Sequence, residues 1–116
     1  MSLAEAVRKI REAGVDAVGV VSRDGSVLAA DLPAGVSRET FSIMCATIHG
    51  AGMTISNELR RSPPKRITLH VDEGTVVIAE VGRRALVVFV LAHGSDFDGL
   101  LPGIRPFLEE IANETG

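Results

Sequence analysis

The side chains of this 116-residue chain that could do chemistry are three histidines, one cysteine and a few clustered charges. His49, His70 and His93 show no ligand spacing such as His-x-x-x-His, and Cys45 is the only thiol that could join them at a zinc ion. They read as ordinary surface or core histidines. Cys45 lies in an uncharged stretch, where a thiol behaves as a small buried hydrophobe rather than a low-pKa nucleophile. Serine, histidine and aspartate all occur, but no Gly-x-Ser-x-Gly elbow frames a hydrolase nucleophile. His49-Gly50-Ala51-Gly52-Met53-Thr54 has the glycines of a phosphate loop. It lacks the Gly-Lys-Ser/Thr ending and falls within a helical pattern, not between strand and helix. Asp96 and Asp98 could bind a cation, but they suit the start of a last helix better. No catalytic residue, metal site or cofactor is expected.

The basic residues carry a clearer signal. Arg60, Arg61, Lys65 and Arg66 surround the entry to a strand, and Arg83-Arg84 form a turn of the same meander. Half of the twelve lysines and arginines therefore gather at one end, and Asp72 and Glu73 fall at the other, with Asp96 and Asp98 expected nearby. A helix C-terminus complemented by cations accounts for Arg60 and Arg61 but not for the cluster. An acidic protein partner is the expectation. Nucleic acid is not, because the formal charge is −3 and the chain has no Trp or Tyr to stack on bases.

Length and composition fit one domain spanning residues 1–116, with 46% hydrophobic and 23% charged residues. A lone cysteine excludes an internal disulfide framework. Glu5 stands where a signal peptide would carry positive charge and then an apolar run. The expected location is the cytoplasm.

The elements follow from local signals. Ser2 and Glu5 form a capping-box pattern before Leu3, Val7 and Ile10, and Gly14 is a natural stop, so a helix is expected over 3–13. Two extended runs, 15–22 and 27–31, flank Arg23-Asp24-Gly25, a hairpin signal. Ser37 caps a long second helix that ends at Arg60-Arg61, before Pro63 and Pro64. Three strands follow, at 66–71, 75–81 and 85–92. The last is apolar without alternation, as a strand buried on both faces requires. Leu100, Ile104, Phe107, Leu108 and Ile111 mark a final helix, in which Pro102 and Pro106 predict a kink or an irregular first turn.

The second helix is the unusual element. From Thr40 through Asn57 it has no Asp, Glu, Lys or Arg. Phe41, Met44, Ile48, Ala51, Ile55 and Leu59 form one apolar stripe, expected to lie on the sheet. The opposite side carries Ile43, Ala46, Thr47, Gly50, Met53, Thr54 and Asn57, where a solvated helix would carry charges. A membrane span needs about 20 predominantly apolar residues, and Thr47, His49, Thr54, Ser56 and Asn57 interrupt this run. From Ser37 to Arg61 the helix would run about 36 Å, against about 20 Å for its neighbouring strands. Gly50 and Gly52 each cost about 1 kcal/mol in a helix interior, which close approach of a second helix would offset. Another chain is expected on this helix, and a second copy is the simplest one.

The chain resembles the Roadblock/dynein-light-chain family. The resemblance rests on the element order, on Val18-Gly19-Val20-Val21-Ser22-Arg23-Asp24-Gly25, and on the long uncharged helix. It rests also on Val76-Val77-Ile78-Ala79 followed by Ala85-Leu86-Val87-Val88. It implies an α+β fold, α-β-β-α-β-β-β-α, of roadblock or profilin type. In that fold a five-stranded antiparallel sheet carries the long helix on one face and the two terminal helices on the other. It implies a homodimer in which second helices pair and third strands join two sheets into one. The dimer interface would then hold Arg66, Thr68, His70 and Asp72 beside the outer row of the second helix. It implies finally a non-catalytic regulator or scaffold that binds a Ras-like small GTPase through the second-helix layer of the dimer; the charge cluster separately offers Arg60, Arg61, Lys65, Arg83 and Arg84 as partner-binding residues. The alternative is a small-molecule-sensing PAS- or GAF-like regulatory domain, which would need an enclosed pocket with convergent polar groups.

Overall fold

Eight elements appear in the computed structural model, which describes residues 1–116: α1 (Leu3–Glu12), β1 (Ala17–Ser22), β2 (Val27–Asp31), α2 (Arg38–Glu58), β3 (Arg66–Val71), β4 (Gly74–Val81), β5 (Ala85–Ala92) and α3 (Phe97–Thr115). Their boundaries follow the local signals. Ser2 accepts a hydrogen bond from the Glu5 amide at 3.2 Å and opens α1, and Ser37 does the same for α2 through the Thr40 amide at 3.2 Å. Gly14, at φ +123°, takes the chain out of α1. Asp24 bonds both the Ser22 hydroxyl and the Ser26 amide inside the β1–β2 turn, and Gly25 supplies the positive φ that this turn requires.

The five strands form one antiparallel sheet in the order β2-β1-β5-β4-β3. The chain is α+β, with helices on both faces of the sheet. α1 and α3 pack together against one face, where Val18, Val20, Val87, Phe89, Leu91, Ile104 and Ile111 belong to the main core. Val21, Ile78, Leu86 and Val88 belong to a smaller cluster on the other face, under α2. β5 thus feeds both cores, as its unbroken apolar run anticipates.

Two expectations are corrected. The irregular first turn expected for the final helix is absent, and α3 runs continuously from Phe97 to Thr115 with Pro102 and Pro106 inside it. Pro102 and Pro106 both lie on its exposed side, while Ile104 and Ile111 are buried. Water can satisfy the carbonyls that each proline leaves without a donor.

The second correction concerns the rotation of α2. The side chains buried on this helix are Ser42, Cys45 and His49, not the large apolar stripe. Met44, Ile55 and Leu59, expected on the sheet, are 50%, 60% and 65% exposed. Polar anchors set this rotation. The Ser42 hydroxyl donates to the Gly25 carbonyl at 2.6 Å, and His49 Nε2 lies 2.8 Å from Glu80 Oε1 on β4. Gly52 lets α2 approach β3, since a Cβ there would fall 2.7 Å from Ile67 Cδ1. No helix is long and apolar enough to cross a membrane.

Candidate interaction surface

α2 lies over β1 and β2 and leaves much of β3 uncovered on its own face of the sheet. The result is an apolar groove between helix and strands. Val36, Phe41, Met44, Ile48, Leu69 and Val76 line one part of it, about 430 Å³ in volume. Ala51, Ile55, Pro64 and Ile67 line its continuation, about 440 Å³. A contiguous apolar surface of this kind is rare on a monomer, where it marks an interaction site or an aggregation hazard.

The groove runs beside an unpaired strand. β3 pairs only with β4, so its other side is a sheet edge. The Glu80 amide donates to the Lys65 carbonyl at 3.1 Å, which fixes the alternation. Ile67, Leu69 and Val71 then spend their backbone bonds on β4, and Arg66, Thr68 and His70 turn free N–H and C=O groups outward. A flat edge with apolar side chains beside it is a template for another strand.

The sequence-derived interface residues fall into two sets. Thr68 and His70 lie on the free edge, and Asp72 follows at its end. Arg66 is also on β3, but it is engaged within the chain. Its guanidinium donates to Asp98 Oδ1 at 2.9 Å and sits 5.2 Å from the centroid of the Phe97 ring. Ile43, Thr47, Gly50, Met53, Thr54 and Asn57 are exposed and Ala46 half-buried. Helical spacing places them off the groove side of α2, on its outer surface and opposite flank. Nothing within 4 Å would meet a Cβ at Gly50, so this glycine leaves a bare spot on the helix.

The basic end is assembled as the meander requires. Arg66 starts β3 opposite Ala79, and Val81 pairs with Ala85 around the Arg83-Arg84 turn, so these residues share one end of the sheet. Arg60, Arg61, Lys65, Arg83 and Arg84 form no ion pair within the chain. Arg60 also has φ +55°, the only non-glycine residue with positive φ. It occupies the left-handed position after α2, where its amide bonds the Asn57 carbonyl at 3.0 Å and the next amide, of Arg61, bonds Ser56 at 2.8 Å. Glycine is the residue that this position favours. Arg60→Gly is expected to raise folding stability by about 1 kcal/mol in urea unfolding, and a loss would mean that the arginine side chain makes a stabilising contact.

His49, expected as an ordinary surface or core histidine, joins a polar cluster under α2. Glu80 Oε1 accepts from Arg23 Nη1 at 3.2 Å as well as meeting His49, and Arg23 Nε donates to the Arg83 carbonyl at 2.8 Å. No sequence spacing links residues 23, 49 and 80. Burial pushes the Glu80 carboxyl up, but hydrogen bonds and charge from Arg23 and His49 outweigh it, and its pKa lies below the ordinary value. Folding then favours the ionised form, so this contribution is present above the ordinary carboxylate range and lost as pH falls through the lowered pKa. Glu80→Gln should flatten the acid limb of a stability-versus-pH curve, and an unchanged limb would deny Glu80 that role.

Burial pushes the Cys45 thiol up to about 11, which fits a packed side chain and not a nucleophile. No three or more His, Cys, Asp or Glu side chains converge as metal ligands would. Val, Ile, Leu and Phe side chains pack between the sheet and the α1–α3 layer, and an open cleft of about 480 Å³ lies at its edge between α1 and β2.

Comparison with known proteins places this architecture. A curated, uncharacterised protein of Methanocaldococcus jannaschii is 31% identical over 78 residues, 67% of this chain and 66% of that protein, so the chain spans just under two thirds of this relative's length. A Roadblock/LC7 domain from Streptomyces avermitilis superposes with a TM-score of 0.87 at 9% identity, covering 98% of each chain. Myxococcus xanthus MglB superposes with a TM-score of 0.85 at 11% identity, covering 97% of this chain and 93% of that one. The Roadblock/LC7 domain family matches residues 6–91. The chain belongs to the Roadblock/LC7 domain family.

Proposed function

We propose that this chain is a one-domain, non-catalytic cytoplasmic protein, acting as a homodimeric regulator or scaffold for a Ras-like small GTPase. The observation that carries the reading is the apolar groove between α2 and β3, beside a free strand edge, in a member of this family. A second copy related by a two-fold axis would pair β3 with β3 and fill both grooves at once. The sequence reading gives the seam to the outer row of α2. The geometry favours giving it to the groove side, because that side borders the unpaired strand. Thr68 and His70 would pair across the axis, with Arg66 and Asp72 at the ends of the ladder.

The outer rows of the two α2 helices, Ile43 to Asn57, would then form one uncharged platform. Its ends would be marked by Arg60, Arg61, Lys65, Arg83 and Arg84. A Ras-like GTPase is the partner that the family resemblance implies for such a platform. The chain alone is expected neither to bind nor to hydrolyse GTP. A fluorescent GTP analogue should show no binding until a small GTPase of the same organism is added, and the two proteins should then associate in a nucleotide-dependent manner. Tight GTP binding by the isolated chain would overturn the proposal and point to an enzyme.

A further inference from the structure

We propose that the C-terminal end of α2 carries a receiving pocket for a carboxylate side chain of an acidic protein segment. The inference deepens the reading above by naming the chemistry of the partner's contact, and it rests on that reading only in giving this end to a protein. Met53, Thr54, Asn57, Arg61 and Pro63 line a pocket of about 260 Å³ there. Arg61 and Asn57 can donate to an acid, and Met53 and Pro63 offer apolar contact to its methylene stem, while the Thr54 hydroxyl is already donated to the Gly50 carbonyl at 3.1 Å. That combination suits one carboxylate on a short aliphatic arm.

Charge complementarity selects the occupant. Arg61 has no carboxylate partner in the chain, and neither have Arg60, Lys65, Arg83 or Arg84. Glu80, an acid of this end of the sheet, is already held by Arg23 and His49. An unpaired guanidinium is a bidentate donor that matches a carboxylate. The chain has no Trp or Tyr to stack on bases, which disfavours a nucleic acid.

Backbone strain points the same way. Arg60 holds a left-handed conformation that glycine would adopt without cost. An arginine kept at a position that favours glycine has two uses for its charge, complementing the C-terminus of α2 and receiving an acid. Stability and binding should then move in opposite directions when that side chain is removed.

The test is fluorescence anisotropy with a fluorescein-labelled hexaglutamate peptide and the full chain. Saturable, salt-sensitive binding is expected, weakened about tenfold by Arg61→Ala. Arg60→Gly should weaken binding several-fold while raising the unfolding midpoint. Arg8→Ala, which removes a guanidinium on α1, should bind as the wild type does. Loss of affinity that is equal for Arg61→Ala and Arg8→Ala would overturn the proposal, as would an Arg60→Gly variant of undiminished affinity. So would absence of saturable binding, or preferential binding to phosphatidylserine vesicles or duplex DNA over the peptide. No GTPase enters the assay, so its failure leaves GTPase binding untouched, and a failure to bind a GTPase leaves this result standing.

Discussion

The wild type is expected to run as a dimer in light scattering, and a chain carrying both Ile55→Asp and Leu69→Asp as a folded monomer at the same concentration. Both residues are exposed in the isolated chain, at 60% and 37%, so the substitutions meet no core and the circular dichroism spectrum should not change. They face the groove from opposite walls, Ile55 from α2 and Leu69 from β3. Seating a second copy there would bury two carboxylates per chain without partners. Each such burial costs several kcal/mol, enough to outweigh the apolar contacts that the groove offers. Gly50→Glu separates this seam from its alternative. Gly50 lies off the groove side of α2, so its variant should stay dimeric. If Gly50→Glu splits the dimer and the groove double variant does not, the seam follows the outer row instead.

Phe89→Ala should lower the unfolding free energy by about 3–5 kcal/mol in urea titration. Phe89 is fully buried at the middle of β5, with Val18 of β1 on one side and Val77 of β4 on the other. Its ring lies 4.9 Å from that of Phe97, the first residue of α3. The removed ring therefore leaves a cavity where the sheet meets the α1–α3 layer, and strands on both sides limit collapse. Domains of this size have about 5–15 kcal/mol in all, so the variant would be marginal. The loss should also reach β3, because Arg66 stacks on Phe97 and bonds Asp98. A loss below about 1 kcal/mol would mean that the site repacks and that Phe89 is not the keystone of this layer.

Most of the fold was legible in the sequence because its punctuation is local. Ser2 and Ser37 cap helices, Asp24-Gly25 turns a hairpin, and Pro63-Pro64 separate α2 from β3. β5 announces its two buried faces by composition. The rotation of α2 was not legible, for a physical reason. A periodicity argument assigns the largest apolar stripe to the chain's own core. Here Met44, Ile48 and Ile55 line an open groove, while Ser42 and His49 face inward because Gly25 and Glu80 satisfy them. Those partners lie 17 and 31 residues away, where no local pattern can reveal them. In sequence, a stripe left open to solvent looks like a stripe buried in the core.

The basic end shows the same division. Its gathering follows from the meander, so the sequence reveals it. The pairing of Arg66 with Asp98 spans 32 residues and depends on where α3 begins, so the sequence does not. The continuity of α3 through Pro102 and Pro106 depends on their exposure, which sequence spacing does not give. On the solvent side of α3 an unpaired carbonyl is hydrated at little cost.

Amide hydrogen exchange on β3 tests the central claim, that a second copy completes the edge beside the groove. The amides of Thr68 and His70 point away from β4 and have no partner within the chain. If the edge is paired in the dimer, both should be protected in the wild type and should exchange at near-random-coil rates in the Ile55→Asp, Leu69→Asp variant. The Ile67 and Leu69 amides, bonded to β4, should stay protected wherever residue 67 or 69 is unchanged. Rapid exchange at Thr68 and His70 in a protein that light scattering shows to be dimeric would contradict the account, because the copies would then meet somewhere other than β3.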